Sequence, residues 1–264
     1  MVRRPPAAYP GGMLLRRVGS LVFWTFLASS SIALFPGAVL LFVATAPFDR
    51  RLVALHRFTC FWASLYTWLC PAWRVEVRGR EHIRPGVAYV MVSNHQSLLD
   101  ILVLFRLFRH FKWVSKIENF RVPVIGWNMR LNRYVPLRRG DKRSIAEMME
   151  ACRRTLAEGS SVLIFPEGTR SPDGRLRAFK HGAFTLARET ASPILPIVVE
   201  GTARALPKRG FVLQGRHRIR VRVLPEIPPA SFRDLPVEEL TARVHALYRR
   251  ELGEEPARRP GGPA

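Results

Sequence analysis

Residues 87–100 read VAYVMVSNHQSLLD and place a short polar cluster between two strongly apolar runs. The first seven of these residues are mostly apolar and rich in β-branched valine, which predicts a buried strand. The apolar run after Ser97 predicts a helix, with Ser97 as its N-cap and Asp100 in its first turn. The stretch therefore predicts a strand, a polar loop and a helix in succession, as in an open α/β sheet.

The polar loop contains His95, and Asp100 follows it five residues later. On one continuous helix five residues rotate by about 140°, which would point the two side chains apart. They can meet only if His95 precedes the helix and folds back over its first turn. The carboxylate would then accept the imidazole N–H and leave the other ring nitrogen free as a base. The alternative is a loop histidine and a helix-start acid with separate structural roles, but the polar cluster favours function.

A second polar cluster, PEGTRSP, follows the apolar segment SVLIF, which is predicted to be a strand ending at residue 165. Arg170 in this cluster suits a phosphate or carboxylate, because its guanidinium can bind two oxygens at once. Gly168 lets the backbone approach a ligand closely. The alternative is a plain loop with a Glu-Arg pair at the surface.

The rest of residues 73–252 alternates predicted strands and helices, which indicates an α/β domain. Helices are predicted over residues 141–158, 179–189 and 236–252. The segment 194–200 is predicted to be an edge strand because it contains Pro196. We expect a mixed β-sheet flanked by helices.

Residues 14–72 are apolar enough to associate with a membrane. No charged residue occurs between Arg17 and Asp49. This run is longer than the roughly 20 apolar residues that a membrane segment needs. Pro36-Gly37 is predicted to break this run, and both flanks are cationic, which favours a segment that dips into the membrane and returns. Residues 58–73 add tryptophan-rich sequence typical of the headgroup boundary. We therefore expect a membrane-associated helix pair.

Two alternatives explain the N-terminal sequence less well. A secretory signal peptide is disfavoured because the apolar region is too long and because Pro47 would follow the cleavage site. A buried helix hairpin in a soluble core is disfavoured by two consecutive apolar segments at the N-terminus. The termini, residues 1–13 and 253–264, are predicted to be disordered.

The 264-residue chain has 42 Lys+Arg against 20 Asp+Glu, a formal net charge of +22. This excess favours a polyanionic partner such as an anionic membrane surface, a phosphorylated substrate or an acidic protein. Nucleic acid is disfavoured because the basic residues are scattered and not interleaved with aromatic residues on one face. The three cysteines form no metal-binding pattern, so no metal is predicted, and a reduced cytosolic face fits them.

Both polar clusters resemble motifs of the glycerolipid acyltransferases, in particular the 1-acyl-sn-glycerol-3-phosphate (lysophosphatidate) acyltransferases. Residues 94–100 resemble the NHxSxxD (HX4D) motif, and residues 165–171 resemble the FPEGTRS motif. Weaker similarities are found at residues 134–139, at Lys180 and Gly182, and at residues 195–197. The resemblance covers roughly residues 73–202. It departs from many relatives at Arg138, where they carry an acidic residue, so the pocket is expected to be more cationic.

The resemblance implies transfer of an acyl group from acyl-CoA or acyl-acyl carrier protein to the sn-2 hydroxyl of 1-acyl-sn-glycerol-3-phosphate, without a cofactor. His95 is the implied base and Asp100 its orienting acid. Glu167 would hold the acceptor's glycerol, while Arg139 and Arg170 would hold its phosphate. The implied substrate-binding set is Asn94, Ser97, Arg139, Glu167, Gly168, Thr169, Arg170 and Lys180.

Cellular placement and alternative functions follow from the same features. The expected location is the inner (cytoplasmic) membrane, with the catalytic domain on the cytoplasmic side. An acyltransferase for another lysophospholipid or a lyso-ornithine-type lipid is the first alternative. A non-catalytic basic protein that binds membranes is the second.

Overall fold

The computed structural model describes residues 10–208 and 210–254 of the chain, so the disorder predicted for residues 1–9 and 255–264 lies outside the described residues. The strands are β1 (Trp73–Arg78), β2 (Val90–Ser93), β3 (Phe111–Lys116), β4 (Val135–Leu137), β5 (Ser161–Ile164), β6 (Ile194–Glu200) and β7 (His217–Val223). The helices are α1 (Pro10–Thr45), α2 (Val53–Trp68), α3 (Leu99–Phe105), α4 (Ile125–Leu131), α5 (Lys142–Ala157), α6 (Gly182–Glu189), α7 (Thr202–Ala205) and α8 (Val237–Glu251). Short 3₁₀ segments occur at Arg80–His82, Ile117–Arg121 and Pro229–Ser231.

The strands form a seven-stranded sheet in the order β1-β7-β6-β2-β5-β3-β4. Strands β6, β2, β5, β3 and β4 run parallel to one another. β7 runs antiparallel to β6, and β1 runs parallel to β7. The sheet is therefore mixed and flanked by helices, which confirms the predicted fold class. The carboxyl ends of the five parallel strands meet at one edge of the sheet.

Helices cover both faces of the sheet, and the alternation of side chains along β2 shows how. Met91 belongs to a hydrophobic cluster with side chains of α1, α2 and α3. Val90 and Val92 point to the opposite face and pack with side chains of α5, α6 and α8. Burial of each such side chain contributes about 1.5–3 kcal/mol, so β2 is held firmly from both sides.

The predicted break at Pro36-Gly37 is wrong, because α1 continues through it as one helix that begins at Pro10. A proline inside a helix removes one backbone hydrogen bond, but neighbouring residues of α1 are packed against α2. Ala38 is fully buried, and Phe58 lies 3.5 Å from the position of a Cβ on Gly37. The chain turns back between α1 and α2 instead. Residues 12–45 are long and apolar enough to cross a membrane by length and composition alone.

The edge position predicted for residues 194–200 is also wrong, since β6 lies between β7 and β2. Pro196 is tolerated there because it lies just before Ile197, where the pairing with β7 begins. At Pro196 the backbone hydrogen bond on this side of β6 uses the carbonyl oxygen, which accepts the N–H of Leu224, so the missing N–H of proline is not required. On the other side of β6, the buried Tyr248 hydroxyl accepts the N–H of Ile197 and donates to the carbonyl oxygen of Val92.

Buried polar contacts fasten α2 to the sheet. The imidazole of His56 is fully buried, and its Nδ1 lies 2.9 Å from the Tyr134 hydroxyl oxygen. The ammonium of Lys112 on β3 donates to the carbonyl oxygens of Arg51, just before α2, and of Asn132, just after α4. Burial lowers the pKa of Lys112 to about 8. These contacts fix α2 and the preceding turn relative to β3.

We predict that His110, which neighbours this network, makes the fold sensitive to acid. Burial, together with the nearby charges of Lys112 and Arg51, lowers the pKa of His110 from 6.5 to about 4. The unfolded chain therefore binds a proton in this pH range that the folded protein does not bind. Relative to a His110→Gln variant, the wild-type free energy of unfolding should fall as the pH drops from 6.5 to about 4. Denaturant unfolding in detergent measures this difference, and parallel pH profiles for the two proteins would contradict it.

Candidate functional site

One oxygen of Asp100 collects three hydrogen bonds at the start of α3. Its Oδ2 accepts the Nδ1–H of His95 at 2.8 Å and the backbone N–H groups of Gln96 at 2.7 Å and Ser97 at 2.8 Å. The carboxylate is completely buried. These bonds curl the loop so that His95 lies over the first turn of α3, as the five-residue spacing predicts.

The second ring nitrogen of His95, Nε2, points away from Asp100 and is free. Because Nδ1 of His95 donates to a carboxylate, the neutral ring carries its proton there and Nε2 keeps its lone pair. Among the described residues, none forms a hydrogen bond with Nε2. The ring stacks on Phe165, with centroids 3.9 Å apart and planes inclined by 11°. His95 is therefore fixed in orientation, with one basic nitrogen available.

The loops that follow β2 and β5 are joined directly, since these neighbouring strands are parallel. The N–H of His95 donates to Oε1 of Glu167 at 2.7 Å, and the N–H of Ser171 donates to the carbonyl oxygen of His95 at 2.8 Å. Oε2 of Glu167 accepts the N–H of Arg177 at 3.2 Å. The two polar clusters of the sequence thus form one site at the carboxyl edge of the sheet.

Glu167 is 4% exposed, and burial raises its pKa to about 7. The bonds from His95 and Arg177 lower this pKa, while the charge of Asp100 raises it. The Glu167 carboxylate thus links the backbone at His95 to the backbone at Arg177. Its predicted contact with the acceptor's glycerol stays a prediction.

Cationic residues follow strands that end at the same edge of the sheet. Arg139 follows β4 and Arg170 follows β5, and the two are close enough for mutual repulsion. Partial burial lowers the pKa of Arg139, Glu118 raises it, and the Arg170 cation lowers it again. In the described chain, no carboxylate lies within ion-pair distance of Arg139, Arg170 or Lys180. An anion bound between these cations would relieve their repulsion.

Gly168 gives the second loop its shape. Its φ is +69°, and a Cβ at this position would lie 3.0 Å from Cε of Lys180. Glycine therefore allows both the left-handed backbone and the close approach of Lys180. Thr169 lies between Gly168 and Arg170 and is partly buried.

Comparison with known proteins agrees with this geometry. A family model described as Acyltransferase matches residues 74–200. A 1-acyl-sn-glycerol-3-phosphate acyltransferase of Chlamydomonas reinhardtii is 40% identical over 74% of this chain, which spans 59% of that relative's length. The sheep (Ovis aries) 1-acyl-sn-glycerol-3-phosphate acyltransferase alpha is 35% identical over 72% of this chain and 69% of its own. The chain belongs to the acyltransferase family.

A solved acyltransferase structure shows the same fold over nearly the whole chain. The crystal structure of the 1-acyl-sn-glycerophosphate (LPA) acyltransferase PlsC from Thermotoga maritima matches with a TM-score of 0.73 and 25% identity. The match covers 92% of this chain and 98% of the PlsC chain. The similarity therefore extends beyond the motif loops to α1 and α2.

Two residues predicted to bind substrate have side chains that form hydrogen bonds with the backbone. The side-chain amide of Asn94 donates to the carbonyl oxygen of Val199 and accepts its N–H, both at 2.8 Å. Ser97 Oγ donates to the carbonyl oxygen of Leu206 at 2.6 Å and accepts the N–H of Leu99 at 3.2 Å. Asn94 is 1% exposed and Ser97 is 0% exposed. Their polar atoms therefore position the loop, and their contact with a substrate stays a prediction.

Sequence reasoning missed two residues of the site. Phe165 supplies the ring on which His95 stacks, and only its place at the end of a predicted strand indicated it. Lys208 donates to the carbonyl oxygen of Arg170 at 2.6 Å. It follows β6, whose carboxyl end lies at the same edge of the sheet, so the rule that strand ends form sites could have found it.

We predict that Asn94→Ala lowers the free energy of unfolding by about 1–3 kcal/mol, because it leaves the backbone of Val199 buried without partners. The KM for the lipid acceptor should stay near the wild-type value. Denaturant unfolding and steady-state kinetics measure these two effects. Asn119→Ala, which removes an exposed asparagine, is the matched control. A raised acceptor KM with unchanged stability would show that Asn94 binds substrate and would contradict this prediction.

Proposed function

We propose that this protein transfers an acyl group from an acyl thioester to the sn-2 hydroxyl of 1-acyl-sn-glycerol-3-phosphate and forms phosphatidic acid. The main support is the free Nε2 of His95, oriented by Asp100 and lying at the same sheet edge as unpaired cations. The names of the three proteins compared above give further support, since each name includes acyltransferase activity on this acceptor. A base beside an anion site suits an acceptor that carries both a hydroxyl and a phosphate.

The phosphate of the acceptor binds between Arg139 and Arg170, where two guanidinium groups can each offer paired donors. Lys180 adds a third positive charge beside Gly168. This binding fixes the acceptor by one end and brings its free hydroxyl to His95. Holding the two reactants in one orientation supplies much of the rate enhancement expected of such a site.

His95 then acts as the general base. Its Nε2 takes the proton of the hydroxyl, and the acceptor oxygen attacks the thioester carbonyl carbon. The tetrahedral intermediate collapses, the C–S bond breaks, and the thiolate leaves with the proton that the imidazolium returns. Asp100 stabilises the imidazolium while it exists. No covalent acyl-enzyme is formed in this scheme.

The donor is acyl-CoA or acyl-acyl carrier protein, because both present the required thioester. The acceptor is a membrane lipid, and the exposed apolar side chains of α1, such as Leu14 and Leu40, suit contact with a bilayer. We propose that the protein lies at the inner (cytoplasmic) membrane, with the site on the cytoplasmic side.

The alternatives account for less of the site. The cations favour a phosphomonoester acceptor over a lyso-ornithine lipid, whose head group carries an amine. A non-catalytic basic protein explains the arginines but not the His95–Asp100 pair. Mass spectrometry of the products formed from mixed lysolipid acceptors and both donors decides among these functions.

We predict that His95→Ala reduces the turnover number by about 10²–10⁴-fold, because the general base is lost. The fold and membrane binding should be retained, although the unfolding midpoint should fall because the hydrogen bond from His95 to Asp100 is lost. Phosphatidic acid formation, vesicle flotation and thermal unfolding provide the three measurements. His82→Ala, which changes a histidine remote from the site, is the control. Turnover near the wild-type value would refute the assignment of His95 as the base.

We predict that Arg170→Ala and Arg139→Ala each raise the acceptor KM by about tenfold or more, because each removes a charge-assisted hydrogen bond to phosphate. The turnover number at saturating acceptor should change much less. Arg143→Ala serves as the control, since Arg143 is exposed and pairs with Glu147 on α5. Lost stability with an unchanged KM would show that the two arginines are structural.

A further inference from the structure

A segment outside the two motif loops connects them to α1. Residues 206–214, here called the strap, follow α7 and lead to β7. Residue 209 lies outside the part of the chain that the structure describes. The strap contacts the long apolar helix α1 on one side and the two motif loops of the site on the other.

On the side of α1, two side chains of the helix hold the backbone of the strap. Nε1–H of Trp24 donates to the carbonyl oxygen of Phe211 at 2.7 Å. Oγ of Ser20 accepts the N–H of Leu213 at 2.9 Å. Leu213 is buried in the same cluster as Phe23, so this junction is packed as well as hydrogen-bonded. A shift of α1 would therefore move the strap.

On the side of the site, the strap holds one residue from each motif loop. Its Leu206 carbonyl oxygen accepts the hydroxyl proton of Ser97 at 2.6 Å, and its Lys208 ammonium donates to the carbonyl oxygen of Arg170 at 2.6 Å. Ser97 in turn donates its N–H to the carboxylate of Asp100. The strap is thus two hydrogen bonds from the acid that orients the base, and one hydrogen bond from the arginine proposed to hold phosphate.

The helix that the strap contacts leaves most of its apolar surface uncovered by the protein. Only 11% of the most apolar 18-residue window of α1 is buried in the protein. Phe211 at the tip of the strap is 68% exposed, and its ring meets Trp24 edge-on at 5.6 Å between centroids. The strap therefore carries an exposed aromatic ring beside a helix whose apolar surface a bilayer would cover.

We propose that the strap couples the seating of α1 in a bilayer to the position of the two motif loops, so that the site is correctly arranged only at a lipid surface. This proposal rests on the proposed function. Binding to a bilayer can shift the site only if the two arrangements differ in free energy of binding. The hydrogen bonds from Ser20 and Trp24 link the position of α1 to that of the strap, so a bilayer that favours one position of α1 also favours one arrangement of the loops.

A double-mutant cycle tests the coupling with the full chain in vesicles of phosphatidylethanolamine and phosphatidylglycerol. Ser20→Ala removes a contact of the strap with α1, and Lys208→Met removes its contact with the site. The fold-loss in kcat/KM caused by Lys208→Met should therefore be at least about threefold smaller in the Ser20→Ala background than in the wild type. Ser29→Ala is the matched control, because Ser29 on α1 bonds only within the helix. The fold-changes in kcat/KM caused by Ser29→Ala and Lys208→Met should simply multiply in the double variant. Independent effects for Ser20→Ala, within about twofold, would overturn the proposal.

Amide hydrogen exchange provides a readout that does not require activity. Transfer from detergent micelles to these vesicles should slow exchange at the N–H groups of Ser97 and Ser171 in the wild type. The slowing should be lost in Ser20→Ala and in Trp24→Phe and retained in Ser29→Ala. An equal slowing in all variants would overturn the coupling even if acyl transfer is confirmed. A wild type without acyl transfer would overturn the proposed function and leave this measurement of the strap intact.

Discussion

Three N–H groups converge on one buried oxygen of Asp100, and the rest of the site depends on this convergence. Hydrogen bonds to a charged group contribute about 1.5–3 kcal/mol each, enough to hold the loop after β2 in a curl that it would not adopt alone. The second oxygen, Oδ1, is buried and has no partner among the described residues. A buried carboxylate with one unpartnered oxygen is stabilised electrostatically when the neighbouring imidazole becomes positive. Asp100 therefore orients the ring and favours its protonated form during proton transfer.

The parallel sheet converts this local arrangement into a site. β2 and β5 are neighbours, so their carboxyl ends deliver His95 and Glu167 to the same place, although the two residues are 72 positions apart in the chain. β4 and β6 end at the same edge and add Arg139 and Lys208. The distance from the base to the cations is thus set by the sheet and by Glu167. An acceptor with a hydroxyl and a phosphate matches a base and cations held in this way.

Local patterns predicted the strand, the loop, the helix and the pairing of His95 with Asp100, because all of them lie within a few residues of each other. The same patterns misjudged Pro36, where packing of α1 against α2 outweighs the missing hydrogen bond. They did not indicate the backbone partners of Asn94 and Ser97, which lie 105 and 109 positions away. A polar residue that binds a distant backbone looks the same in sequence as one that binds a ligand. Only the tertiary structure separates the two roles.

Nitrogen-15 NMR of the imidazole of His95 tests the central claim most directly. The signals are assigned by comparison with a His95→Gln variant, and the ring is observed in its neutral form. The pairing with Asp100 predicts a proton on Nδ1 and a free lone pair on Nε2, with this preference lost in Asp100→Asn. A proton on Nε2 in the wild type, or an identical tautomer in Asp100→Asn, would contradict the account.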